Sequence, residues 1–337
     1  MPATEILPTH TPVLFDAAVR RAAAVLRAGG VVAVPTETVY GLAANALDGT
    51  AVARIFAAKS RPAHNPIIVH VASTAMARRC VSGWPPAAQR LADAFWPGPL
   101  TLVVPKSAEV PDAVTAGGPT VGVRWPLHPF VQAVIRECGF PLAAPSANPS
   151  NELSPTTASH VSRLLGGRVS LIVDGGASHV GIESTVVDVT RAPARVLRPG
   201  MIHAGALEAV LGEGVESARR PSGAGVLRSP GLLEKHYSPR ARLIVAAWKD
   251  DPDLRRQLED RALPVAGAFV VSHTHIPLGG GFANVSVIPH DAEAFARALY
   301  GELHACDAAG AALIVVEAPP DGPEWEAIRD RLRRAGG

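Results

Sequence analysis

The sequence predicts an α/β protein in two parts: a larger N-terminal α/β domain over residues 1–212 and a small parallel α/β domain over 241–337, joined by a linker at 213–240. Three observations lead there. Short apolar runs alternate with stretches of helical period along the chain. Residues 213–239 lose that periodicity and are rich in Gly, Pro, Ser and Arg. Beyond them strands and helices alternate one for one, the pattern of a parallel sheet.

Composition narrows the class. The chain has 337 residues, 47% hydrophobic and 18% charged, enough to build a sizeable core. No apolar run approaches the ~18–20 residues of a membrane span, and the N-terminus lacks a secretory pattern. Cys80, Cys138 and Cys306 form no CxxC pair, which fits a reducing cytoplasm and argues against a disulfide framework or structural zinc. A cytoplasmic protein without a membrane partner is expected. Charge is uneven: residues 1–240 hold 22 Lys/Arg against 16 Asp/Glu, and residues 241–337 hold 10 against 14. A mildly basic N-terminal part suits an anionic ligand such as a nucleotide better than a general nucleic-acid coat.

In order, residues 1–12 read as a loose lead-in. Phe15 to Arg27 has apolar residues at helical spacing and stops at Gly29-Gly30. Val31 to Val34 is a strand that Pro35 ends, since proline has no N–H to donate. The stretch from Val34 to Ala44 (VPTETVYGLAA) then reads either as a capped strand-to-helix turn or as a hydroxyl-rich ligand edge. Asp48 to Ala58 is a short helix that Thr50 can cap, closed by Lys59-Ser-Arg-Pro62. Strands follow at Ile67–Val71, Leu100–Val104, Thr120–Trp125, Leu142–Ala144, Leu171–Val173, Thr185–Val189 and Arg195–Leu197. Helices are expected at Pro86–Phe95, Phe130–Cys138, Ser159–Leu165 and Ala204–Leu211. In the C-terminal part strands at 242–246, 266–271 and 312–316 alternate with helices at 251–261, 292–305 and 325–334.

No P-loop, GxGxxG, HExxH or GxSxG motif is present, so a nucleotide would be held by side chains and other loops. Four polar clusters fall at element ends. Lys59-Ser-Arg61, with Asn65 nearby, is either a phosphate clamp or a solvated helix C-terminus. Ser146-Ala-Asn148 is either an uncharged binding loop or an Asx/Ser turn. Arg124 and Arg198 each end an apolar strand and need either an acid or a ligand carboxylate. His70 lies in an apolar strand, where a satisfied core histidine is the commoner outcome. His273-Thr-His275 has no third metal ligand at a suitable spacing, so a structural metal site there is not expected.

In register, the motifs PTETVYGLAANA, KSRPAHNPIIVHV, WPGPLTLVV, TVGVRWPLHP, PLAAPSANPS, VDGG, GIESTVVDVT and VLRPG resemble the Sua5/YrdC family of threonylcarbamoyl-AMP synthases over residues 15–205. The C-terminal extension and the linker's Ser-Pro-Gly…Lys-His-Tyr-Ser-Pro resemble the long, two-domain Sua5 form. The resemblance implies a YrdC-like twisted mixed sheet with a concave site, then a Rossmann-like domain. It implies synthesis of L-threonylcarbamoyladenylate and pyrophosphate from L-threonine, bicarbonate and ATP. The product serves N6-threonylcarbamoyladenosine formation at tRNA position 37, completed by a separate transferase complex; weak tRNA binding by the synthase itself is left open.

Residue by residue, the resemblance implies that Lys59, Arg61, Ser146 and Asn148 are catalytic and hold the ATP phosphates with Mg2+. Asn65, Thr120, Ser154, Arg198 and the linker's Tyr237 complete the ATP site. Thr36, His70, Arg124, Ala144 and Ser184 match the threonine pocket, with Arg124 answering the substrate carboxylate. The linker is expected to act as a lid that Tyr237 closes. Ser238 stands where the family commonly has alanine, and Pro-Gly-Leu-Leu-Glu opens the linker where Met and a basic residue are common. Two other classes stay open: an RNA-binding module without chemistry, and a carbamoyl transferase acting through carbamoyl-adenylate.

Overall fold

The computed structural model describes residues 4–62, 64–217 and 237–336. They divide into two compact units, one from residues 4–150 and 154–217, the other from 237–336 with 151–153.

The first unit runs β1 (Glu5–Pro8), α1 (Pro12–Arg27), β2 (Val32–Val34), β3 (Gly41–Asn45), α2 (Gly49–Lys59), β4 (Val69–His70), α3 (Thr74–Arg79), α4 (Pro86–Phe95), β5 (Leu100–Pro105) and α5 (Asp112–Thr115). It continues through β6 (Thr120–Arg124), α6 (Pro129–Cys138), β7 (Leu142–Ala143), α7 (Ala158–Leu165), β8 (Leu171–Asp174), β9 (Thr185–Asp188), β10 (Arg195–Arg198), α8 (Ala204–Leu211) and β11 (Glu216–Ser217). Its strands form one mixed sheet in the order β1-β8-β2-β3-β7-β4-β6-β5-β9-β10-β11. Parallel pairs such as β4–β6 and β5–β9 alternate with antiparallel ones such as β2–β3 and β5–β6.

Strand alternation divides the apolar residues between two cores. Val32, Val34 and Ala43 face a core that includes α1 and α6, where the Phe15 and Phe130 rings meet edge-on at 5.5 Å. Ala33, Leu42 and Ala44 face the larger core with Val52 and Ile55 of α2. A sheet covered on both faces explains the long apolar runs.

Four expectations need correction. The supposed lead-in contains β1, parallel to β8 with Glu5 opposite Leu171. Its side chains stay mostly exposed, so hydrophobic pattern could not reveal it. The stretch after Pro35 turns into a strand, not a helix: β3 pairs antiparallel with β2, Val34 opposite Gly41. Asp48, not Thr50, caps α2, because Asp48 is extended and its carboxylate accepts the N–H groups of Thr50 and Ala51. Residues 216–217, assigned to the linker, pair with β10 as β11. Helices α3 and α5, of six and four residues, were too short for a periodic signal.

The second unit runs β12 (Arg242–Ala246), α9 (Asp251–Asp260), β13 (Ala268–Ser272), β14 (Asn284–Val287), α10 (Ala292–Ala308), β15 (Leu313–Glu317) and α11 (Glu326–Gly336). Its strands are all parallel, in the order β12-β15-β13-β14, as the alternation predicted. Leu254 and Leu258 of α9 cover Val270, Leu313 and Val315. β14 was missed because its side chains are only partly buried.

Candidate active site

Helix α2 ends where Ser60 adopts the left-handed conformation, φ 51° and ψ 42°, and this turn leaves Lys59 buried. Its ammonium donates to the main-chain carbonyls of Ser146 and Asn148, and to Asn148 Oδ1 at 3.2 Å. The lysine and the Ser146–Asn148 loop, read separately from the sequence, therefore meet, and a buried positive charge is solvated by carbonyl dipoles. Arg61 donates from Nε to Asn65 O at 3.2 Å and from Nη2 to Pro66 O at 2.8 Å, shaping the loop that carries Asn65. The Asn65 side chain is fully buried, yet neither its Nδ2 nor its Oδ1 has a partner among the described residues. An orphan buried amide costs ~1–3 kcal/mol, so this side chain calls for a partner, water or ligand. A cavity of about 190 Å³ is lined by Pro66, Ile67, Ile68, Thr101, Thr120 and Val186.

A second cluster surrounds the Thr36 turn. Thr36 Oγ1 lies 2.6 Å from Val39 O and accepts the N–H groups of Thr38 and Val39 at 3.3 Å. The hydroxyl thus closes its own turn. Arg124, at the end of β6, donates to Thr38 Oγ1 at 2.8 Å and to Gly98 O at 3.1 Å. Its Nη2 sits 2.6 Å from Glu37 Oε1, with both side chains buried. The charges touch without hydrogen-bond alignment, so Nη2 and both Glu37 oxygens keep unused bonding capacity among the described residues. Of the two partners open to Arg124 from the sequence, the structure supplies the acid. Burial works against ionisation of Glu37, but the Arg124 charge and the Leu127 N–H outweigh it and hold the carboxyl below its ordinary range.

His70 stands opposite Arg124 in the parallel β4–β6 pair. It is buried as expected of a core histidine, but its Nδ1 lacks a partner among the described residues. Burial, and then the Arg124 charge, push its pKa well below the usual value, so the ring is neutral. Ala144, following β7, donates its N–H to Ile68 O, and its Cβ would lie 3.3 Å from a Cβ placed on Gly41.

Tyr40 ties these parts together. Its hydroxyl donates to Gly176 O at 2.6 Å and accepts the Gly175 N–H at 3.2 Å. Its main-chain N–H donates to Pro155 O, and its carbonyl accepts the Ala147 N–H. Gly175 is required by contact: a Cβ there would lie 2.6 Å from Pro35 Cγ. Gly175→Ala is expected to push Pro35 and the Thr36 turn aside and cost ~1–3 kcal/mol, read as a lower thermal midpoint. An unchanged midpoint would show that Pro35 has room to yield.

The third cluster joins residues expected in different subsites. Arg198 donates from Nε and Nη2 to Ser184 O at 3.1 and 3.0 Å, and Ser184 Oγ lies 2.8 Å from Thr101 Oγ1. Ser154 donates to Glu183 Oε1 at 2.5 Å. Tyr237 lies in the second unit, its ring 6.1 Å from that of Tyr300 and 5.3 Å from the Arg331 guanidinium carbon. Linker residues 218–236, and with them most of the expected lid, lie outside the described residues. Sequence reading missed Thr101 and Gly175. The only signal for Thr101 was a hydroxyl inside the apolar run Leu100-Thr-Leu-Val-Val104.

Two family models match the chain. One, for Sua5/YciO/YrdC proteins and described as "Telomere recombination", covers residues 24–200; the other, "Threonylcarbamoyl-AMP synthase, C-terminal domain", covers residues 202–337. The threonylcarbamoyl-AMP synthase of Pyrococcus abyssi is 40% identical over 324 residues, spanning 95% of this chain and 94% of the relative. That of Bacillus subtilis is 39% identical over 337 residues, spanning 96% and 94%. The crystal structure of P. abyssi Sua5 complexed with L-threonine superposes with a TM-score of 0.90 at 37% identity, covering 99% of this chain and 98% of that one.

Proposed function

Because the chain belongs to the Sua5/YrdC family, we propose that it is an L-threonylcarbamoyladenylate synthase, a nucleotidyltransferase that consumes L-threonine, bicarbonate and ATP and releases pyrophosphate. The observation that carries this reading is the buried Lys59 ammonium on the Ser146–Asn148 loop, in a chain that aligns over 99% of its length with a threonine-bound relative. The product is the threonylcarbamoyl donor for tRNA N6-threonylcarbamoyladenosine, and a separate transferase consumes it.

The threonine amine nitrogen bonds to the bicarbonate carbon and a C–O bond breaks with loss of water, giving a carbamate. Its oxygen attacks the α-phosphorus of ATP; the new O–P bond forms as the bond to the pyrophosphate oxygen breaks. The attacking oxygen is already anionic, so no general base is needed, and the residues act by position and charge. Lys59 and Arg61 supply positive charge along the phosphates, with Ser146, Asn148, Ser154 and Arg198 at the same nucleotide. The cavity walled by Ile67, Ile68 and Thr120 suits the base. Arg124 Nη2, short of an aligned bond, and His70 Nδ1 are donors or acceptors left for threonine, with Thr36, Ala144 and Ser184 framing it. Tyr237 is a further residue assigned to the nucleotide.

Mg2+ is assigned as an ion carried by ATP, with the neutral side-chain and carbonyl oxygens of the Ser146 loop as those that would face it. Bound, it would neutralise phosphate charge. No described helix is long and apolar enough to cross a membrane. The three cysteines are free and buried, which supports action in the cytoplasm.

Mass spectrometry after incubation with ATP, 13C-bicarbonate and L-threonine tests the assignment. A labelled threonylcarbamoyladenylate together with pyrophosphate is expected. Turnover that needs carbamoyl phosphate instead, or RNA binding without ATP consumption, would overturn it.

A further inference from the structure

The second unit carries an organised polar cluster that the synthase reaction does not use. It lies at the carboxyl edge of the parallel sheet, between β13 and β15. The connection from β13 leads outward to β14, whereas α11, after β15, packs on β12. Where winding diverges in this way, an open parallel sheet presents its ligand crevice.

Glu317, buried at the end of β15, fixes the loop after β13. Its carboxylate accepts the main-chain N–H groups of His273, Thr274 and His275 at 2.7, 2.9 and 3.1 Å, and lies 2.7 Å from His275 Nδ1. On the solvent side of this anchored loop, three atoms meet in a triangle. His273 Nδ1 and His290 Nδ1 are 2.8 Å apart, and Thr274 Oγ1 lies 2.8 Å from the first and 2.9 Å from the second. His273 Nε2 is 3.2 Å from Ala318 O. A carbonyl only accepts, so the proton is on Nε2 and the Nδ1 lone pair faces the triangle. A ligating histidine is held in the same way, by a carbonyl on its far nitrogen. Trp325 supports both rings, stacked on His273 at 29° and 5.6 Å from His290. His290 and Thr274 are exposed, so an ion can enter.

The spacing distinguishes among ions. With metal–ligand bonds of ~2.0–2.1 Å, neighbouring donors of an octahedral or square-planar ion lie ~2.8–3.0 Å apart, whereas those of tetrahedral zinc lie ~3.3 Å apart. The observed triangle, whose contacts are also ordinary hydrogen-bond distances, admits the first spacing and is tighter than the second. We propose that His273 Nδ1, His290 Nδ1 and Thr274 Oγ1 form one face of a binding site for a divalent transition-metal ion of the Ni2+ or Cu2+ class. Water fills the remaining positions. Only two of the ligands are strong ones, so the ion exchanges readily.

Calorimetric titration of Ni2+ into full-length protein without a histidine tag provides the test, together with the electron paramagnetic resonance spectrum of the Cu2+ form. One equivalent of Ni2+ is expected to bind, with a Cu2+ spectrum split by two nitrogens. His273→Ala and the exposed-site variant His290→Ala should each weaken Ni2+ binding at least ~10-fold. Circular dichroism and synthase activity of His290→Ala should be unchanged. Absence of a one-equivalent site, unchanged affinity in folded His290→Ala, or a single coordinated nitrogen would overturn the proposal and leave a proton-sharing cluster.

Discussion

Lys59→Ala is expected to lower threonine- and bicarbonate-dependent pyrophosphate release by about 10²–10³-fold or more. Two losses combine. Removing a preorganised charge from a water-poor site costs a factor of about that size by itself. The substitution also strips a donor from the carbonyls of Ser146 and Asn148, and each buried orphan costs ~1–3 kcal/mol. Lys59→Met keeps most of the volume and separates charge from packing. If it folds with the wild-type midpoint yet stays inactive, the charge is the cause. Arg61→Ala should act in the same direction, and it also removes the donors that Nε and Nη2 give to the Asn65 and Pro66 carbonyls of its own loop. Full activity in either alanine variant would remove these residues from the phosphate site.

Arg124→Ala is expected to destabilise the first unit strongly. It leaves the Glu37 carboxylate buried without its counter-ion, a loss of ~3–5 kcal/mol. At ~2–4 °C per kcal/mol for a domain of this size, the thermal midpoint should fall by roughly 6–20 °C. Glu37→Gln in the same chain should recover part of that loss, so the two substitutions together cost less than their sum. The pH dependence has a definite sign. The Glu37 carboxyl is held below its ordinary range in the folded protein, so its stabilising contribution is present above that range and disappears as pH falls through the lowered value. The gap between wild type and Arg124→Ala should therefore narrow on acidification. A gap of constant width across that range, measured by denaturant titration, would show that Glu37 is not the group Arg124 serves.

Elements that bury a periodic face were legible in the sequence. The helix ending at Arg27 announced itself by Ala18, Val19, Ala22 and Leu26, all buried, and the parallel C-terminal sheet by alternation alone. What escaped had its cause elsewhere. β1 is held by main-chain pairing to a strand more than 160 residues away, which no local window contains. The Asp48 cap depends on where backbone angles change, and Asp48 and Thr50 are both good capping residues. At the site, residue types and their positions at strand and helix ends were readable. Their partners were not. Arg124 met Glu37, and Arg198 met Ser184, because β6 and β9 bring distant segments together. The second ring beside His273 comes from His290, after a different strand, rather than from His275, a pairing that no local spacing reveals.

Tyr40 sets a limit on how the first unit can breathe. One residue fastens the chain at Ala147, Pro155 and the Gly175–Gly176 turn through separate bonds, so these three walls behave as a single masonry block around the Thr36 turn. Parting any two of them breaks a buried bond of Tyr40. An opening of the first unit that keeps these bonds therefore leaves the three walls moving together.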